Sequence, residues 1–273
     1  MKGISEIFDS LFSIVLLAAI VLIFISDKNE NVNQLKKDLK QTTKNIDRNL
    51  VESVAQIEHL SDKNDYIQHG IDISHYQGDI LNNKQMINQL QFVICKATEG
   101  LSFVDPDFKS NWNTIKSLNI TRGTYHFFIA NDDPLAQAQH FHQTVGPITP
   151  EDIPPIVDIE ALSLRSNVEP KALQSKLHSF LTEIERLYKR KPMIYTNYYF
   201  AQKFLLDSEL SDYPLWLAEY SQQKQPKIPT TWQKNGFKIW QRSDTYHIKS
   251  KKVDLDIAFG SRESLLTSHQ ATE

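Results

Sequence analysis

Two hydrophobic rhythms alternate along this chain from about residue 70 onward: short runs with apolar residues at every second position, and longer runs with apolar residues at every third or fourth. The first rhythm predicts strands at 70–76, 92–98, 121–128, 154–160, 192–197, 213–220, 237–243 and 253–259. The second predicts helices at about 107–118, 134–145 and 169–190, the last being clearest. There Leu173, Leu177, Phe180, Leu181, Ile184 and Leu187 share one face, with charged and amide side chains between them. About eight strands separated by helices over roughly 200 residues predict an α/β fold, a small and irregular β/α barrel of the TIM-like kind. An open doubly wound sheet also fits the alternation, but no Gly-rich dinucleotide or phosphate loop follows the first strand.

Ahead of the barrel, at 67–265, the pattern changes twice. Ser10 to Ser26 is uncharged and mostly Leu, Ile, Val, Ala and Phe, which predicts a transmembrane helix within 1–26. A cleavable signal peptide competes with it, but the start is barely basic and no A-x-A site follows the apolar run. Residues 27–66 contain neither Gly nor Pro, and Val32, Leu35, Leu39, Ile46, Leu50, Val54 and Ile57 form a thin apolar seam at near-heptad spacing. This reads as a polar helical linker, either a solvated spacer or a seam for weak self-association. A polar tail, 266–273, closes the chain.

Candidate chemistry begins with Pro155-Ile156-Val157-Asp158-Ile159-Glu160. Side chains at i and i+2 of a strand leave the same face, so both acids should enter one cavity. Neighbouring carboxylates in a poorly solvated site resist double ionisation, so one tends to keep a proton near neutral pH. Such pairs also arise by chance, as a strand end followed by a solvated loop. Two further apolar segments end in acids, however, at Asp72 and at Asp254 and Asp256. Barrel active sites lie at the carboxyl ends of the strands, which would bring these separate acids to one mouth.

The segment from about Gly70 to Gly260 resembles glycoside hydrolase family 25, the muramidase lysozymes. In order, the matching pieces are Gly70-Ile71-Asp72-Ile73-Ser74-His75-Tyr76-Gln77-Gly78, Lys96-Ala97-Thr98-Glu99-Gly100 followed by Asp105-Pro106-Asp107-Phe108, and Arg122-Gly123-Thr124-Tyr125-His126-Phe127-Phe128. Asp158-Ile159-Glu160, Ile194-Tyr195-Thr196, Leu215-Trp216-Leu217-Ala218-Glu219-Tyr220, Trp240-Gln241-Arg242-Ser243 and Val253-Asp254-Leu255 complete the set. Two positions depart from the family pattern. Tyr76 stands where many members carry Trp, and Asp256 stands where Asn is more usual, so the resemblance favours Asp254 as the acid facing the site.

The resemblance implies hydrolysis of the β-1,4 bond between N-acetylmuramic acid and N-acetylglucosamine in peptidoglycan, with net retention. Carried over by position, Glu160 is the general acid, which requires a raised pKa. Asp158 stays charged, either as nucleophile or by orienting the substrate's acetamido group, while Asp72 and Asp254 shape the field and anchor substrate. Tyr76, Tyr125, Tyr195 and Trp216 combine flat apolar faces with polar tips suited to pyranose rings, with core packing as the alternative for any one of them. Trp240 has the same alternatives. Lys96 and Glu99 as a supporting ion pair and Gln241 as a polar contact are expected at the substrate site, with a purely structural role as the alternative, and His126 is expected as a cleft residue. A catalytic domain of this kind works outside the cytoplasmic membrane, periplasmic or extracellular, tethered through residues 10–26 or secreted if that segment is cleaved. The lysines at 28, 36, 37 and 40 that follow the apolar run argue for the opposite orientation.

Composition sets the remaining bounds. With 273 residues and a net charge of -3, there is room for one sizeable catalytic core and no reason to invoke nucleic acid. Cys95 is the only cysteine, which rules out an intrachain disulfide and suggests a buried small residue. His75, His126, His140, His142 and His247 form no H-E-x-x-H or compact Cys/His cluster, so neither metal nor cofactor is expected. A non-catalytic glycan-binding barrel and a hydrolase of chitin-type oligosaccharides are the alternatives.

Overall fold

The computed structural model describes residues 37, 38, 40–42 and 67–267, other than 83–86, 88, 222, 249 and 250. The chain divides into two compact units, Met1–Asn64 and Asp65–Glu273. In the first, residues 37, 38 and 40–42 are helical, and Thr42 Oγ1 donates to the Asp38 carbonyl. The expected membrane helix and the rest of the linker seam lie outside the described residues. Among the described residues, no helix is long and apolar enough to cross a membrane.

The second unit is built on nine strands: β1 (Ile67–Ile73), β2 (Phe92–Glu99), β3 (Phe103–Val104), β4 (Thr121–Phe127), β5 (Ile156–Asp158), β6 (Met193–Asn197), β7 (Leu215–Ala218), β8 (Ile239–Ile248) and β9 (Lys251–Phe259). They bond in the order β1-β9-β8-β7-β6-β5-β4-β2-β3, and a further β1–β2 pairing closes the ring. With β3 hanging from β2, eight strands form the barrel, and an open doubly wound sheet is excluded. One strand departs from the expected parallel repeat. β9 runs antiparallel to both β1 and β8, and it joins β8 through a hairpin in place of a helical crossover.

Four helices fill outer crossovers: α1 (Phe108–Ser117), α2 (Pro134–Val145), α3 (Pro170–Tyr188) and α4 (Tyr198–Phe204), with α5 (Arg262–Leu266) after the barrel. Their starts follow local chemistry. Pro134 and Pro170 occupy first-turn positions where a missing N–H costs nothing, and the Asp133 carboxylate accepts the Ala136 N–H at 2.8 Å. α3 ends at Lys189 in the left-handed region, φ 55°.

Strand alternation divides the core into two layers. Val93, Cys95, Val157, Ile194, Leu215 and Leu217 point outward onto the helices, where Leu173, Leu177, Phe180, Leu181 and Ile184 of α3 meet them. Phe92, Ile94, Ile156, Met193, Trp216, Ile239 and Ala258 point inward and fill the barrel. Gly70 is required here because a Cβ would sit 2.3 Å from the Phe92 ring. Cys95 is fully buried in the outer layer, and burial pushes its thiol pKa up, as suits an inert packing residue.

Candidate active site

At the end of the barrel where the parallel strands finish, a cavity of about 300 Å³ opens. The alternation that sends apolar residues inward lower down sends polar ones inward here: Asp72 from β1, Lys96 from β2, Tyr125 from β4, Asp158 from β5, Tyr195 from β6, Trp216 from β7, Gln241 from β8 and Asp254 from β9. Asp254 reaches this mouth for a reason the sequence pattern concealed. Because β9 is antiparallel, the first half of that strand, not its carboxyl end, lies beside the end of β1, where Asp254 pairs in register with Asp72.

The strand predicted at 154–160 is shorter than expected, ending at Asp158. Glu160 follows in extended conformation at the start of a 3-10 turn, where its N–H donates to Ser163 Oγ at 3.0 Å and its carbonyl accepts the Ser163 N–H. The extended backbone preserves the i, i+2 relation, so Asp158 and Glu160 still line the same cavity. Asp158 is 8% exposed, and its Oδ1 has no hydrogen-bond partner among the described residues.

Electrostatics follow from this crowding. Burial, then the Glu160 charge, raises Asp158 well above the usual carboxylate range, opposed by Lys96. Glu160 is raised by burial, again opposed by Lys96, with Asp254 adding to the rise. Raised carboxyls this close to one another in sequence and cavity titrate as a pair, not independently. Asp72 is pushed up to about 8 by burial and by Asp254, against the hydrogen bond from Gln241. Asp254 rises to about 6 through burial and Asp244.

A hydrogen-bond network fixes the floor. Gln241 Nε2 donates to Asp72 Oδ2 at 2.7 Å, while the Tyr195 and Tyr220 hydroxyls both donate to Gln241 Oε1, at 2.9 and 2.6 Å. Trp216 packs edge-on to Tyr195 and Tyr125, and its indole N–H donates to Asp256 Oδ1 at 2.8 Å. Lys96 Nζ donates to Glu99 Oε2 at 2.8 Å, the expected pair, and Arg165 holds the other Glu99 oxygen at 2.7 Å. Glu99 thus braces Lys96 from the rim without lining the cavity. Tyr76 does line it, as an 82% exposed ring at the mouth. From there an adjoining groove of about 690 Å³ continues between His75–Gly78 and the β8–β9 hairpin, past Asp244 and Lys252.

Two expected cleft residues sit elsewhere. His126 is the neighbour of inward-facing Tyr125 and therefore faces outward; it is fully buried, stacked on Phe180 at 5.1 Å and bonded to Thr98 and Gln137. Burial pushes its pKa down to about 3. Trp240 likewise faces away from the cavity, its indole N–H donating to the Glu219 carbonyl at 2.7 Å. Conversely, Ser74, Gln77, Phe127 and Tyr220 line the cavity without having been singled out. For Phe127 and Tyr220 the signal was strand parity, since each stands two residues beyond an inward-facing position.

A larger groove, about 940 Å³, runs along α3 and includes His178, Asp207 and Glu209, whose ligand-type atoms lie within 4.8 Å of one another. None of these residues lines the acid cavity, and His178 Nε2 and Asp207 Oδ2 already bond at 3.1 Å.

Comparison with known proteins agrees with this geometry. The model of the glycosyl hydrolases family 25 matches residues 71–251. The uncharacterized protein YegX of Escherichia coli (strain K12) is 31% identical over 207 residues, covering 73% of this chain and 72% of that protein. The autolytic lysozyme of Clostridium acetobutylicum is 32% identical over 163 residues, covering 60% of this chain and 48% of that one. The solved structure of a muramidase from Trichobolus zukalii superposes with a TM-score of 0.66 at 30% identity, covering 74% of this chain and 99% of that chain. An acid-lined, aromatic-walled barrel mouth and a family match spanning most of the barrel converge: the chain belongs to glycosyl hydrolase family 25 and is a glycoside hydrolase.

Proposed function

We propose that this chain hydrolyses the β-1,4 bond between N-acetylmuramic acid and N-acetylglucosamine in peptidoglycan, with Glu160 as general acid and net retention of configuration. The observation that carries the reading is the Asp158–Glu160 pair: two acids of raised pKa lining one aromatic-walled cavity, one with a buried oxygen lacking a partner among the described residues. The names of similar proteins, lysozyme and muramidase, favour the same substrate.

In the free protein the pair resists double ionisation. An acetamido N–H donated to the cavity-facing side of Asp158 stabilises that carboxylate, which leaves the proton on Glu160, where the departing sugar oxygen takes it. Positive charge developing at the anomeric carbon then faces Asp158. The displacement is completed either by Asp158 itself or by the acetamido oxygen that Asp158 orients, and both routes are double displacements that retain configuration. Inversion needs carboxyls about 6.5–9.5 Å apart to admit a water, a gap poorly suited to i, i+2 neighbours on one extended segment. Tyr125, Tyr195 and Trp216 wall the sugar, Tyr76 covers it at the rim, and Asp72, Asp254 and Gln241 anchor polar groups. Lys96, braced by Glu99, tempers the acids' proton affinity. His126 has no part in this reading.

The substrate lies outside the cytoplasmic membrane, so the reading places the barrel there, with residues 10–26 as anchor. Protease added to intact spheroplasts should digest the barrel; full protection would reverse that placement.

A purely glycan-binding barrel has no need of two neighbouring acids with raised pKa values. Purified peptidoglycan and chitin oligosaccharides, compared side by side, separate the three readings. Proton NMR of the first-formed product tests the stereochemistry. The β-anomer appearing before mutarotation is expected, and an α-anomer would exclude retention.

A further inference from the structure

Beneath the residues assigned to the reaction lies one carboxyl that the mechanism does not use. Asp256 points into the barrel from β9, in register with Gly70 on β1 and Gln241 on β8, and it is 0% exposed. Trp216 Nε1 supplies its Oδ1 with a hydrogen bond at 2.8 Å. Its Oδ2 has no donor among the described residues. Within hydrogen-bonding reach of Asp256 lies the carboxyl of Asp72, two residues along β1 from the register partner Gly70; Asp72 Oδ2 already accepts from Gln241.

Two carboxylates are both acceptors and can bond only when one carries a proton. Around Asp256 the Trp216 N–H from β7 is the one group that favours a charge, and it is a neutral donor; Asp72 from β1 and Asp254 from its own strand are acids, and Gln241 from β8 bonds Asp72 and two tyrosines. Lys96, the cation lining the cavity, acts on Asp158 and Glu160 instead.

We propose that Asp256 is a protonated, neutral carboxylic acid in the working enzyme and that its Oδ2 hydroxyl donates a hydrogen bond to Asp72, fixing that carboxyl group from below. Asp256 holds the proton because it is wholly enclosed, whereas Asp72 borders the cavity and keeps some solvent contact. Burial and the Asp72 charge both raise Asp256 in the same sense. Asp256 is then a positioning residue: it touches no substrate and acts through Asp72. Deprotonation at high pH replaces the bond with repulsion between two buried charges, which displaces Asp72.

Asp256→Asn retains shape and a donor while removing the titration. In the full chain, kcat/KM on purified peptidoglycan near neutral pH should stay within about threefold of the parent, and any alkaline loss caused by Asp256 should move upward by about one pH unit or more. Asp256→Leu, which has no donor, should lose about tenfold or more at neutral pH. A fall of that size in folded Asp256→Asn, or an alkaline limb that does not move, would overturn the proposal. The kinetic arm rests on the glycosidase reading, whereas infrared spectroscopy does not. The parent at neutral pH should show a protonated-carboxyl C=O band that Asp256→Asn lacks, and an unchanged band intensity would contradict the assignment even if no substrate were turned over. If Asp256→Asn does not fold, the parent alone decides: selectively 13C-labelled aspartate should give a buried carboxyl that stays in its protonated form as its neighbours titrate, and complete ionisation of all aspartates by neutral pH would refute it.

Discussion

Asp72 and Asp254 stand directly opposite one another across the antiparallel β1–β9 seam. Burial, and then the Asp254 charge, make an ionised Asp72 costly, so above its pKa the barrel carries the pair at the expense of stability. The effect on Asp72 has a definite sign. Its pKa rises from 3.8 to about 8 on folding, so its favourable contribution is fully present below 3.8 and is lost as pH climbs through 8. Asp72→Asn should therefore raise the melting temperature at pH 8 and leave it nearly unchanged below pH 3.8, as calorimetry across that range would show. A lower melting temperature at pH 8 would mean that the carboxylate is held by attractions outweighing its burial.

Replacing Glu160 by Gln keeps volume and hydrogen bonding but removes the transferable proton. Turnover of peptidoglycan should drop by roughly 10² to 10⁴-fold with the unfolding transition nearly unchanged. Activity within a few-fold of the parent would take Glu160 out of the acid role.

Lys96 lowers the proton affinity of both Asp158 and Glu160. Lys96→Met should let both pKa values rise, so the acid limb of the kcat/KM profile, where Asp158 must ionise, shifts to higher pH. A profile of unchanged shape with a uniformly reduced height would assign Lys96 to substrate contact instead.

His126 offers a contrasting test. Gln137 Oε1 also accepts the Ile129 N–H while its Nε2 donates to the Ile129 carbonyl, which fixes the amide; His126 Nε2 must then donate to it and Nδ1 accept from Thr98. His126→Leu leaves those partners unpaired and should cost about 1–3 kcal/mol in denaturant unfolding. Its kcat/KM should stay within about twofold of the parent. A large rise in KM without loss of stability would return His126 to the cleft.

Much of this was legible because strand parity is local. Asp158 and Glu160 share a face whatever the neighbours do, and of the apolar stripe of α3 Leu173, Leu177, Phe180, Leu181 and Ile184 are buried, with Leu187 half-buried and Gln174 joining them. Hydrophobic alternation carries no direction, however, so nothing in Val253-Asp254-Leu255-Asp256 distinguished an antiparallel closing strand from another parallel one. His126 is the instructive failure. Adjacent residues of a strand point opposite ways, and Tyr125 and His126 could not both enter the cavity. The network through Gln241, by contrast, links β1, β6, β8 and the segment after β7, a juxtaposition that only ring closure creates.

The central claim is that this cavity cuts the glycan on the reducing side of muramic acid. Mass spectrometry of borohydride-reduced fragments released from purified peptidoglycan reads the bond directly, with Glu160→Gln as control. The account predicts reduced muramic acid at the new ends and none from the control. Reduced glucosamine ends, or intact strands after incubation with the folded parent enzyme, would contradict it.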